Sequence, residues 1–431
     1  MSAPEQYDVA VVGGGPAGAC MAACLARASV RVVVVERERF PRFHIGESLL
    51  PSCLPPLQRM GVALDGGEHV LKRGAAFFDE RTGEHNYFGF DEALPGLPEF
   101  AYQVDRAVFD RALLDAARRA GAAVHEGTSV LDHHIDDGGV TLTLAPTPAG
   151  PGPDECLRGA SRPAPERGAA TSLRARYLVD ASGRRGVSSR GGRELRSIAG
   201  LGRVASFLHY AELGDAAWAE LLERGEVRVL RIDDGWIWLI PLFDRRLSVG
   251  VVSRRQRLPD DELHATLAAS PMLTRLTQGA SVTGVRHVGE YSYANLAARG
   301  PRYVAIGDAA GFLDPVFSSG VAIALMSAER AAQTLLPVLH DPQALADPDL
   351  MAPLSEATAV AYRSFHTIAH RFYNGRLIDN LLLASAPDQR MRAGLVSLLA
   401  GDVWRDDNRF QSAVLSATRH ELPPTPWSSA S

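Results

Sequence analysis

The sequence predicts a mixed α/β (α+β) protein, with a domain built on a parallel sheet, a mainly antiparallel second sheet and helices at the C-terminal end. Three observations predict this class. Near the start, a short β-branched strand runs directly into a glycine-rich turn and an Ala-rich helix. Between about residues 197 and 286, short strands follow one another with alternating apolar and polar residues. From about residue 321 onward, the apolar residues recur with the period of helices.

Size and composition narrow the possible functions. The chain has 431 residues, of which 46% are hydrophobic and 22% charged, as in an ordinary protein with a large core. A net charge of -5 argues against a nucleic-acid partner, because phosphate binding favours a basic surface. We expect no export signal and no integral membrane segment, and therefore a cytoplasmic enzyme. The four cysteines include no CxxC pair, so we predict neither a metal site nor a disulfide framework.

The first strand, residues 7–12, leads into a GxGxxG turn whose glycines are Gly13, Gly15 and Gly18. In a dinucleotide-binding domain these glycines allow the tight turn, the close approach of a pyrophosphate and close helix–strand packing. The helix that follows directs its positive N-terminal end at the phosphates. A second strand ends in Glu36, where a carboxylate accepts hydrogen bonds from the ribose of an unphosphorylated adenosine. Together these features predict a Rossmann-like cofactor domain.

Changes in composition along the chain suggest where the domains begin and end. We predict the first part of the cofactor-binding domain in residues 1–196 and its second part in residues 287–345. A β-sheet substrate domain lies between them in residues 197–286, and a C-terminal helical region follows in residues 346–431. Residues 146–170 are rich in Pro, Gly and Ala without periodicity, which predicts a flexible insertion between two strands.

Two later strands also end in polar turns. Residues 177–180 are followed by Ala181-Ser182-Gly183, and residues 303–306 are followed by Gly307-Asp308. A segment ending in Ser318-Ser319-Gly320 then opens a long Ala/Leu helix. A carboxylate after a strand and a small polar helix start again favour cofactor binding. No second GxGxxG unit appears, so the sequence predicts no separate nicotinamide-binding domain.

Lys72 is the only lysine among the 45 residues that are Lys or Arg. Its primary amine can lose its proton and act as a nucleophile, whereas a guanidinium stays protonated. The pattern is compatible with a catalytic amine, and equally with a surface residue that arginine has not replaced.

Trp236 and Trp238 are spaced two residues apart, which places them on one face of their predicted strand. Two aromatic side chains on one face form either a functional wall or ordinary core packing. The spacing alone does not separate these two interpretations.

Three motifs resemble those of known flavoproteins. From about residue 7 to the C-terminal helices, the chain is similar to FAD-binding monooxygenases of the p-hydroxybenzoate hydroxylase type, although Asp180-Ala181-Ser182-Gly183 stands where those enzymes carry an Asp-Gly motif. Trp236-x-Trp238-x-Ile240-Pro241 resembles the signature of flavin-dependent halogenases. Phe312-x-Asp314-Pro315-x-Phe317-Ser318-Ser319-Gly320 resembles a motif of their phenol- and pyrrole-acting branch, and Lys72 stands where the family has its essential lysine. The glutamate-bearing motif of the tryptophan-acting branch is not found.

The resemblance implies an FADH2-dependent halogenase, in which reduced FAD, O2 and chloride or bromide yield hypohalous acid. It implies that Lys72 receives this oxidant, as a haloamine or as a hydrogen-bond donor, and passes the halogen to an electron-rich phenol or pyrrole. That substrate is free or tethered to a carrier protein, and a separate NAD(P)H flavin reductase supplies the reduced flavin. Trp236 and Trp238 would wall off the flavin, while Glu47 would assist proton transfer or anchor its loop. The Ser319 and Gly320 amides would bind the halide.

The resemblance also implies a set of FAD contacts. For two residues near this set, alternatives stay open: Arg106 is otherwise a surface residue, and Asp314 otherwise caps the helical turn after it. The implied cofactor-binding residues are Gly13, Gly15, Pro16, Ala17, Gly18, Glu36, Ser48, Arg106, Asp308, Pro315 and Gly320.

Other functions remain open on the same predicted fold. One is a flavin monooxygenase such as a phenol hydroxylase, which commonly takes NAD(P)H directly. Another is a geranylgeranyl-reductase-like oxidoreductase, which the Gly46-Glu47-Ser48 region also fits. A third is a flavoprotein that binds FAD without catalysis.

Overall fold

The computed structural model describes residues 5–150, 164–165, 170–188, 194–198, 200–201, 203–254, 258–289, 291–375, 389–405 and 407–417. Most of the predicted insertion, residues 151–163 and 166–169, lies outside the described residues, as does the chain beyond residue 417. The strands are β1 (Glu5–Val12), β2 (Val32–Glu36), β3 (Val70–Lys72), β4 (Gly74–Asp79), β5 (Glu84–Gly89), β6 (Ala101–Gln103), β7 (Ala123–Glu126), β8 (Thr128–Asp136), β9 (Gly139–Pro146), β10 (Thr171–Asp180), β11 (Leu195–Ser197), β12 (Val204–Ala211), β13 (Val227–Ile232), β14 (Gly235–Leu242), β15 (Arg246–Ser253), β16 (Ser281–Val282), β17 (Arg286–Gly289), β18 (Tyr293–Asn295), β19 (Arg299–Gly300), β20 (Tyr303–Ala305) and β21 (Gly311–Phe312). The helices are α1 (Pro16–Arg27), α2 (Leu54–Met60), α3 (Arg106–Arg119), α4 (Asp215–Leu222), α5 (Asp260–Ala268), α6 (Pro271–Leu276), α7 (Ser319–Leu335), α8 (Pro342–Ala346), α9 (Ala352–Tyr373), α10 (Gln389–Leu399) and α11 (Arg409–Ala417).

The first sheet has the strand order β19-β20-β10-β1-β2-β7. Its central strands run parallel: β1 pairs with β10 on one side and with β2 on the other, and β10 pairs with β20. The strand β2 reads Val-Val-Val-Val-Glu and is buried along its whole length, as expected for a parallel strand that is covered on both faces. The predicted Rossmann-like fold is confirmed.

The carboxyl ends of these strands meet at one edge of the sheet. In register, Val12 lies beside Asp180, and Asp180 lies beside Ala305. The glycine turn after β1, Glu36 at the end of β2 and the Gly307 turn after β20 therefore converge there. In open α/β sheets this edge is where ligands bind.

The second large sheet has the order β16-β12-β15-β14-β13-β4-β5, and it is antiparallel except where β13 runs parallel to β4. It draws β4 and β5 from residues before the interval in which the strand pattern predicted it. Three short helices, α4, α5 and α6, lie within that interval. They have 8, 9 and 6 residues, too few for a helical period to stand out from neighbouring strands.

The two faces of this sheet contribute to two separate hydrophobic cores. The inner core connects the sheet with the cofactor domain and the long helices, whereas the outer core is closed by leucines of α4, α5 and α6. Along β14, successive residues alternate between the two, as the pleat of a strand requires. The inner core includes Phe207, Trp236, Trp238, Leu325 and Phe372, and the outer core includes Leu221, Ile237, Leu239, Val249, Leu263 and Leu273.

Candidate active site

The glycine turn after β1 is built so that only glycine fits. Gly13 has a φ of 102°, and a Cβ there would lie 2.3 Å from the Ala181 carbonyl oxygen. A Cβ on Gly18 would lie 1.9 Å from the Gly13 carbonyl oxygen. Helix α1 begins at Pro16, and no side chain caps its first turn. Its backbone N–H groups at this edge are therefore available to an anion.

Glu36 is bound to the same turn. Its carboxylate accepts hydrogen bonds from the Gly14 N–H at 2.6 Å and from the Glu38 N–H at 2.8 Å. A carboxylate has about four acceptor sites, so about two remain for hydroxyl groups of a ligand. The position at the end of β2 is the one that the sequence predicted for a ribose contact.

Two buried arginines share one buried carboxylate beside this turn. Arg106 donates to both Asp110 oxygens, at 2.7 and 2.9 Å, and Arg42 lies 3.0 Å from the Asp110 Oδ2 atom. Arg106 is 5% exposed, so the alternative of a surface residue is wrong. A Cβ on Gly15 would lie 3.4 Å from a terminal nitrogen of Arg42. This cluster carries a net positive charge next to the glycine turn, and Arg42, its second cation, was not predicted.

Asp308 lies where α1 and α7 approach each other. The residue before it, Gly307, has a φ of 56°, and a Cβ there would lie 2.9 Å from the Ala17 Cβ. Burial raises the pKa of Asp308 to about 6, against the opposing charge of Arg106. Asp308 thus follows a residue that packs against α1, and it lies close enough to Arg106 for their charges to interact.

A small cavity joins Asp308 to the start of α7. Its volume is about 10 Å³, roughly that of one water molecule, and its lining includes Asp308, Ser319 and Gly320. The helix begins at Ser319 after Ser318, which has a φ of 55°, and no side chain caps its first turn. Unsatisfied N–H groups and the positive end of the helix dipole therefore point toward the cavity region.

Lys72 is buried, with 1% of its surface exposed, so the alternative of a surface lysine is wrong. Its Nζ donates to Ser48 Oγ at 2.9 Å and to the Leu49 carbonyl oxygen at 2.8 Å. It also lies 5.3 Å from the centre of the Phe90 ring. Burial lowers the pKa of Lys72 to about 7, only partly opposed by Cys53. A substantial fraction of this amine is therefore neutral near pH 7.

Glu47, the residue before Ser48, points in another direction. Its Oε1 lies 2.9 Å from Nε2 of His209, and both residues are 2% exposed. Its Oε2 has no hydrogen-bond partner among the described residues. His209 was not predicted. It lies two residues after Phe207 on β12, so the two-residue period of a strand places both on the inner face, and this period could have identified His209 as a site residue.

Trp236 and Trp238 lie on one face of β14, as predicted, with ring centres 6.0 Å apart. Both are buried. Trp236 Nε1 donates to the Tyr373 hydroxyl at 3.0 Å, and Trp238 Nε1 donates to Ser248 Oγ at 3.2 Å. Both indoles are therefore fixed by a specific hydrogen bond as well as by packing.

The segment between Asp308 and α7 reaches the tryptophans through Asp314. Asp314 accepts from the Val316 N–H at 3.0 Å, which confirms that it caps the turn Pro315–Phe317. It also accepts from the Tyr373 hydroxyl that holds Trp236. Phe372 contacts both Phe317 and Trp236, with ring centres 6.0 and 6.3 Å apart.

The predicted site residues thus fall into three adjoining groups. The cofactor edge, the Lys72 pocket and the tryptophan face are connected through the loop before Ser48, where Phe43 contacts His209 and Phe207, and Phe207 contacts Trp238. The Lys72 amine bonds to Ser48 and Leu49 and not to Glu47. The cofactor edge holds Gly13, Gly15, Pro16, Ala17, Gly18, Glu36, Arg106, Asp308, Ser319 and Gly320; the Lys72 pocket holds Ser48 and Lys72; the tryptophan face holds Trp236, Trp238 and Pro315.

Neither a metal-binding cluster nor a membrane-spanning helix is present among the described residues. Over those ranges, no three His, Cys, Asp or Glu side chains are grouped so that they would hold a metal ion. Within the same part of the chain, none of the helices combines the length and apolar character that crossing a membrane requires.

Comparison with known proteins agrees with this geometry. A 1H-pyrrole-2-carbonyl-peptidyl-carrier-protein chlorinase of Pseudomonas fluorescens is 28% identical, over 93% of this chain and 90% of its own. The myxobacterial chondrochloren halogenase CndH, an FAD-dependent halogenase, superposes with a TM-score of 0.73 and 28% identity, covering 98% of this chain and 99% of its own. A flavoprotein/dehydrogenase of Cytophaga hutchinsonii superposes with a TM-score of 0.82 and 25% identity, over 95% and 96% of the two chains.

Several other curated relatives are longer proteins, and this chain spans 62–66% of their length. The profile of the family described as tryptophan halogenase matches residues 8–97 and 93–378, most of the chain. The chain therefore belongs to the tryptophan halogenase family, flavin-dependent oxidoreductases that use reduced FAD, halide and O2.

Proposed function

We propose that this protein halogenates an electron-rich phenol or pyrrole, free or tethered to a carrier protein, with Lys72 as the residue that delivers the halogen. A separate NAD(P)H flavin reductase supplies the reduced flavin. The observation that carries the proposal is the burial of the chain's only lysine, with its amine held by two acceptors and partly neutral near pH 7. The similarity to a pyrrole chlorinase that acts on a carrier protein supports this substrate class.

The residues at the cofactor edge fit FAD. The adenosine ribose would bind at Glu36, and the pyrophosphate at the glycine turn from Gly13 to Gly18, next to the cationic cluster of Arg42 and Arg106. Asp308 would hold a ribityl hydroxyl, with Ser48, Pro315 and Gly320 toward the flavin. When bound, reduced FAD would donate electrons to O2, which would take further electrons from halide and so oxidise it to hypohalous acid.

The start of α7 is the proposed halide site. The amides of Ser319 and Gly320 are uncapped donors at the positive end of the helix, which is the arrangement that favours a small anion. The adjacent cavity with Asp308 lies beside them. An anion there would sit close to where the flavin is proposed to bind.

Lys72 would act in two balanced steps. Its neutral amine attacks the halogen of hypohalous acid: an N–halogen bond forms, the O–halogen bond breaks and water leaves. The halogen then passes to a ring carbon of the substrate, and the proton that this carbon loses is returned to the nitrogen, which restores the amine. Ser48 and the Leu49 carbonyl fix the direction of the amine. In the alternative form of the step, the protonated amine donates a hydrogen bond that polarises hypohalous acid.

Three other side chains have supporting roles in this proposal. Trp236 and Trp238 separate the flavin from the organic substrate, so that halide rather than the arene is oxidised there. Glu47, which is paired with His209 through one oxygen and has no partner among the described residues for the other, would assist this proton transfer or anchor its loop. We also propose domain segments at residues 1–196, 197–286, 287–345 and 346–431, with β4 and β5 of the first segment contributing to the second sheet.

The decisive experiment compares wild type with Lys72→Ala and Lys72→Arg. Each protein receives a flavin reductase, FAD, NADH, O2 and chloride or bromide, with phenols and pyrroles presented free and on a carrier protein. We expect a halogen isotope pattern by mass spectrometry in wild type and its loss in both variants. Lys72→Arg is the matched control, because it keeps a positive charge but has no primary amine that can lose its proton near pH 7. Full activity in either variant would contradict the role of Lys72, and hydroxylated product would contradict the halogenase.

The similarity to a flavoprotein/dehydrogenase favours one second candidate, a reductase or monooxygenase on the same fold. Such an enzyme would oxidise NAD(P)H without added reductase. We expect no such oxidation above the background of free flavin. Rapid, substrate-dependent oxidation of NAD(P)H by the purified protein would favour this second candidate.

A further inference from the structure

The indole of Trp236 is held by hydrogen bonds that extend beyond its own sheet. Trp236 Nε1 donates to the Tyr373 hydroxyl at 3.0 Å. That hydroxyl donates in turn to Asp314, with 2.9 Å between the oxygen atoms. Tyr373 is the last residue of α9, and Asp314 precedes the turn before α7. Three segments that are distant in sequence therefore meet at one indole.

Asp314 is a buried carboxyl that changes its charge near neutral pH. It is 3% exposed, and burial raises its pKa to about 7, against hydrogen bonds from Val316 and Tyr373 and the charge of Arg203. The titratable and charged groups that face it are Arg203, Tyr291 and Tyr373. Arg203 lies over the Tyr373 ring, 4.4 Å from its centre. Burial, and then the Asp314 charge, raise the pKa of Tyr373, so its hydroxyl remains a donor in both charge states of Asp314.

The neighbouring indole has a different anchor. Trp238 Nε1 donates to Ser248 Oγ at 3.2 Å, within the sheet. A serine hydroxyl does not titrate in the range where Asp314 does. The chain therefore contains two buried indoles on one face of a strand, one linked to an ionisable carboxyl and one not.

We propose that Tyr373 and Asp314 are positioning residues for Trp236, and that their hold on the indole tightens when Asp314 loses its proton. A carboxylate accepts a stronger hydrogen bond from the Tyr373 hydroxyl than a neutral carboxylic acid does. The hydroxyl polarised in this way is a better acceptor for the indole N–H. Because Asp314 opens the segment that leads to Ser319, the same bonds tie the indole to the start of α7.

The hydrogen bonds from Trp236 to Tyr373 and from Tyr373 to Asp314 do not depend on the proposed function. Their catalytic consequence does, because it requires that Trp236 shields the flavin. In the anchored state, oxidation of halide is better coupled to product. When these hydrogen bonds are weakened, a larger share of the O2 consumed ends as hydrogen peroxide and a smaller share is used for halogenation.

The test is a pH titration of the indole N–H signals of FAD-loaded, 15N-labelled protein by TROSY NMR, with Trp236→Phe and Trp238→Phe to assign them. We expect the Trp236 signal to shift with a midpoint near pH 7 in wild type and to be independent of pH in Asp314→Asn and Tyr373→Phe. Asparagine still caps the Pro315–Phe317 turn, so Asp314→Asn removes the charge and keeps the local structure. The Trp238 signal should not titrate in any of these proteins.

Ser248→Ala is the matched control, because it removes the anchor of the other indole. It should move the Trp238 signal and leave the titration of Trp236 unchanged. A Trp236 signal that is flat in wild type, or that titrates equally in Asp314→Asn, would overturn the proposal.

Product formed per O2 consumed gives the catalytic readout, measured in the reductase-coupled assay. We expect this ratio to fall by about tenfold in Tyr373→Phe, the effect of a small displacement near reacting groups. Between about pH 6 and pH 8 it should rise less steeply in Asp314→Asn than in wild type, because the Lys72 amine still titrates there and residue 314 does not. An unchanged ratio in both variants would overturn the catalytic consequence alone. Absence of halogenated product in wild type would refute the proposed function and leave the indole titration as the test of the anchor.

Discussion

The inner and outer faces of the second sheet come from the same strands and are built in different ways. On the outer face, Ile237, Leu239 and Val249 meet leucines of three short helices, and their contacts are apolar. On the inner face, Trp236 and Trp238 each donate a hydrogen bond to a named partner. The outer face makes apolar packing contacts, whereas the inner face presents aromatic groups that hydrogen bonds hold in fixed orientations.

This difference indicates where stability and function reside. An aliphatic face tolerates replacement by other apolar residues of similar volume, and its loss lowers the free energy of unfolding. An oriented face depends on particular atoms, so small changes there affect the site beyond their cost in stability. Substitutions on the two faces of β14 should therefore separate these two effects.

The largest expected effect concerns Lys72, which lies on β3 outside the second sheet and contacts Phe90 of the inner core. The unfolded chain keeps this amine protonated up to about pH 10.5, whereas the folded protein releases the proton near pH 7. Between these values the unfolded state binds more protons, so the free energy of unfolding rises with pH, by an amount on the order of several kcal/mol. In Lys72→Met this rise should be missing. Thermal unfolding of both proteins from about pH 6 to pH 9 tests this; parallel curves would contradict a lowered pKa.

On the outer face, Leu239→Ala should cost about 2–5 kcal/mol of unfolding free energy, because Leu239 is fully buried and the small residue leaves a cavity. Halogenation per folded molecule should stay within about twofold of wild type, since no inner group moves. Urea unfolding and the product assay measure the two quantities. A large loss of turnover in well-folded Leu239→Ala would break the distinction between the faces.

Gly250→Ala should disturb the inner face directly. A Cβ on Gly250 would lie 2.2 Å from the Trp238 ring, so the ring or the strand must move, at about 1–3 kcal/mol. We also expect lower halogenation and a changed near-UV circular dichroism spectrum. Gly289→Ala is the matched control in the same sheet, because its Cβ would meet nothing closer than 3.8 Å. Equal effects of the two substitutions would exclude contact with Trp238 as the cause.

The smallest effect is expected for Ser248→Ala. It leaves the buried indole N–H of Trp238 without its acceptor, at about 1–2 kcal/mol. Urea unfolding measures this cost. A variant as stable as wild type would mean that the indole N–H finds another acceptor.

The parts of the site that depend on local sequence could be predicted. The glycine turn, Glu36 at a strand end and the helix start at Ser319 follow from residues within a few positions of one another. The common face of Trp236 and Trp238 follows from the two-residue period of a strand. Each of these inferences needs only the backbone geometry of one short segment.

The parts that depend on long-range contacts could not be predicted. Tyr373 is 137 residues from the tryptophan that it holds, and no local pattern distinguishes it from other tyrosines. The pairing of His209 with Glu47 joins segments that are distant in sequence, and so does the pairing of Arg42 with Asp110. Neither pairing could be inferred before the fold was known. The contribution of β4 and β5 to the second sheet likewise depends on strand pairing between distant segments.

The presence of one lysine among 45 basic residues has a practical consequence. Selective isotope labelling of lysine gives the protein a single Nζ reporter, with no spectral overlap to resolve. The chain has no second lysine side chain with which hypohalous acid could form a haloamine. Under the proposed mechanism, Lys72 would be the one lysine side chain on which a haloamine could form, and a mass increment on the peptide containing Lys72 would detect it.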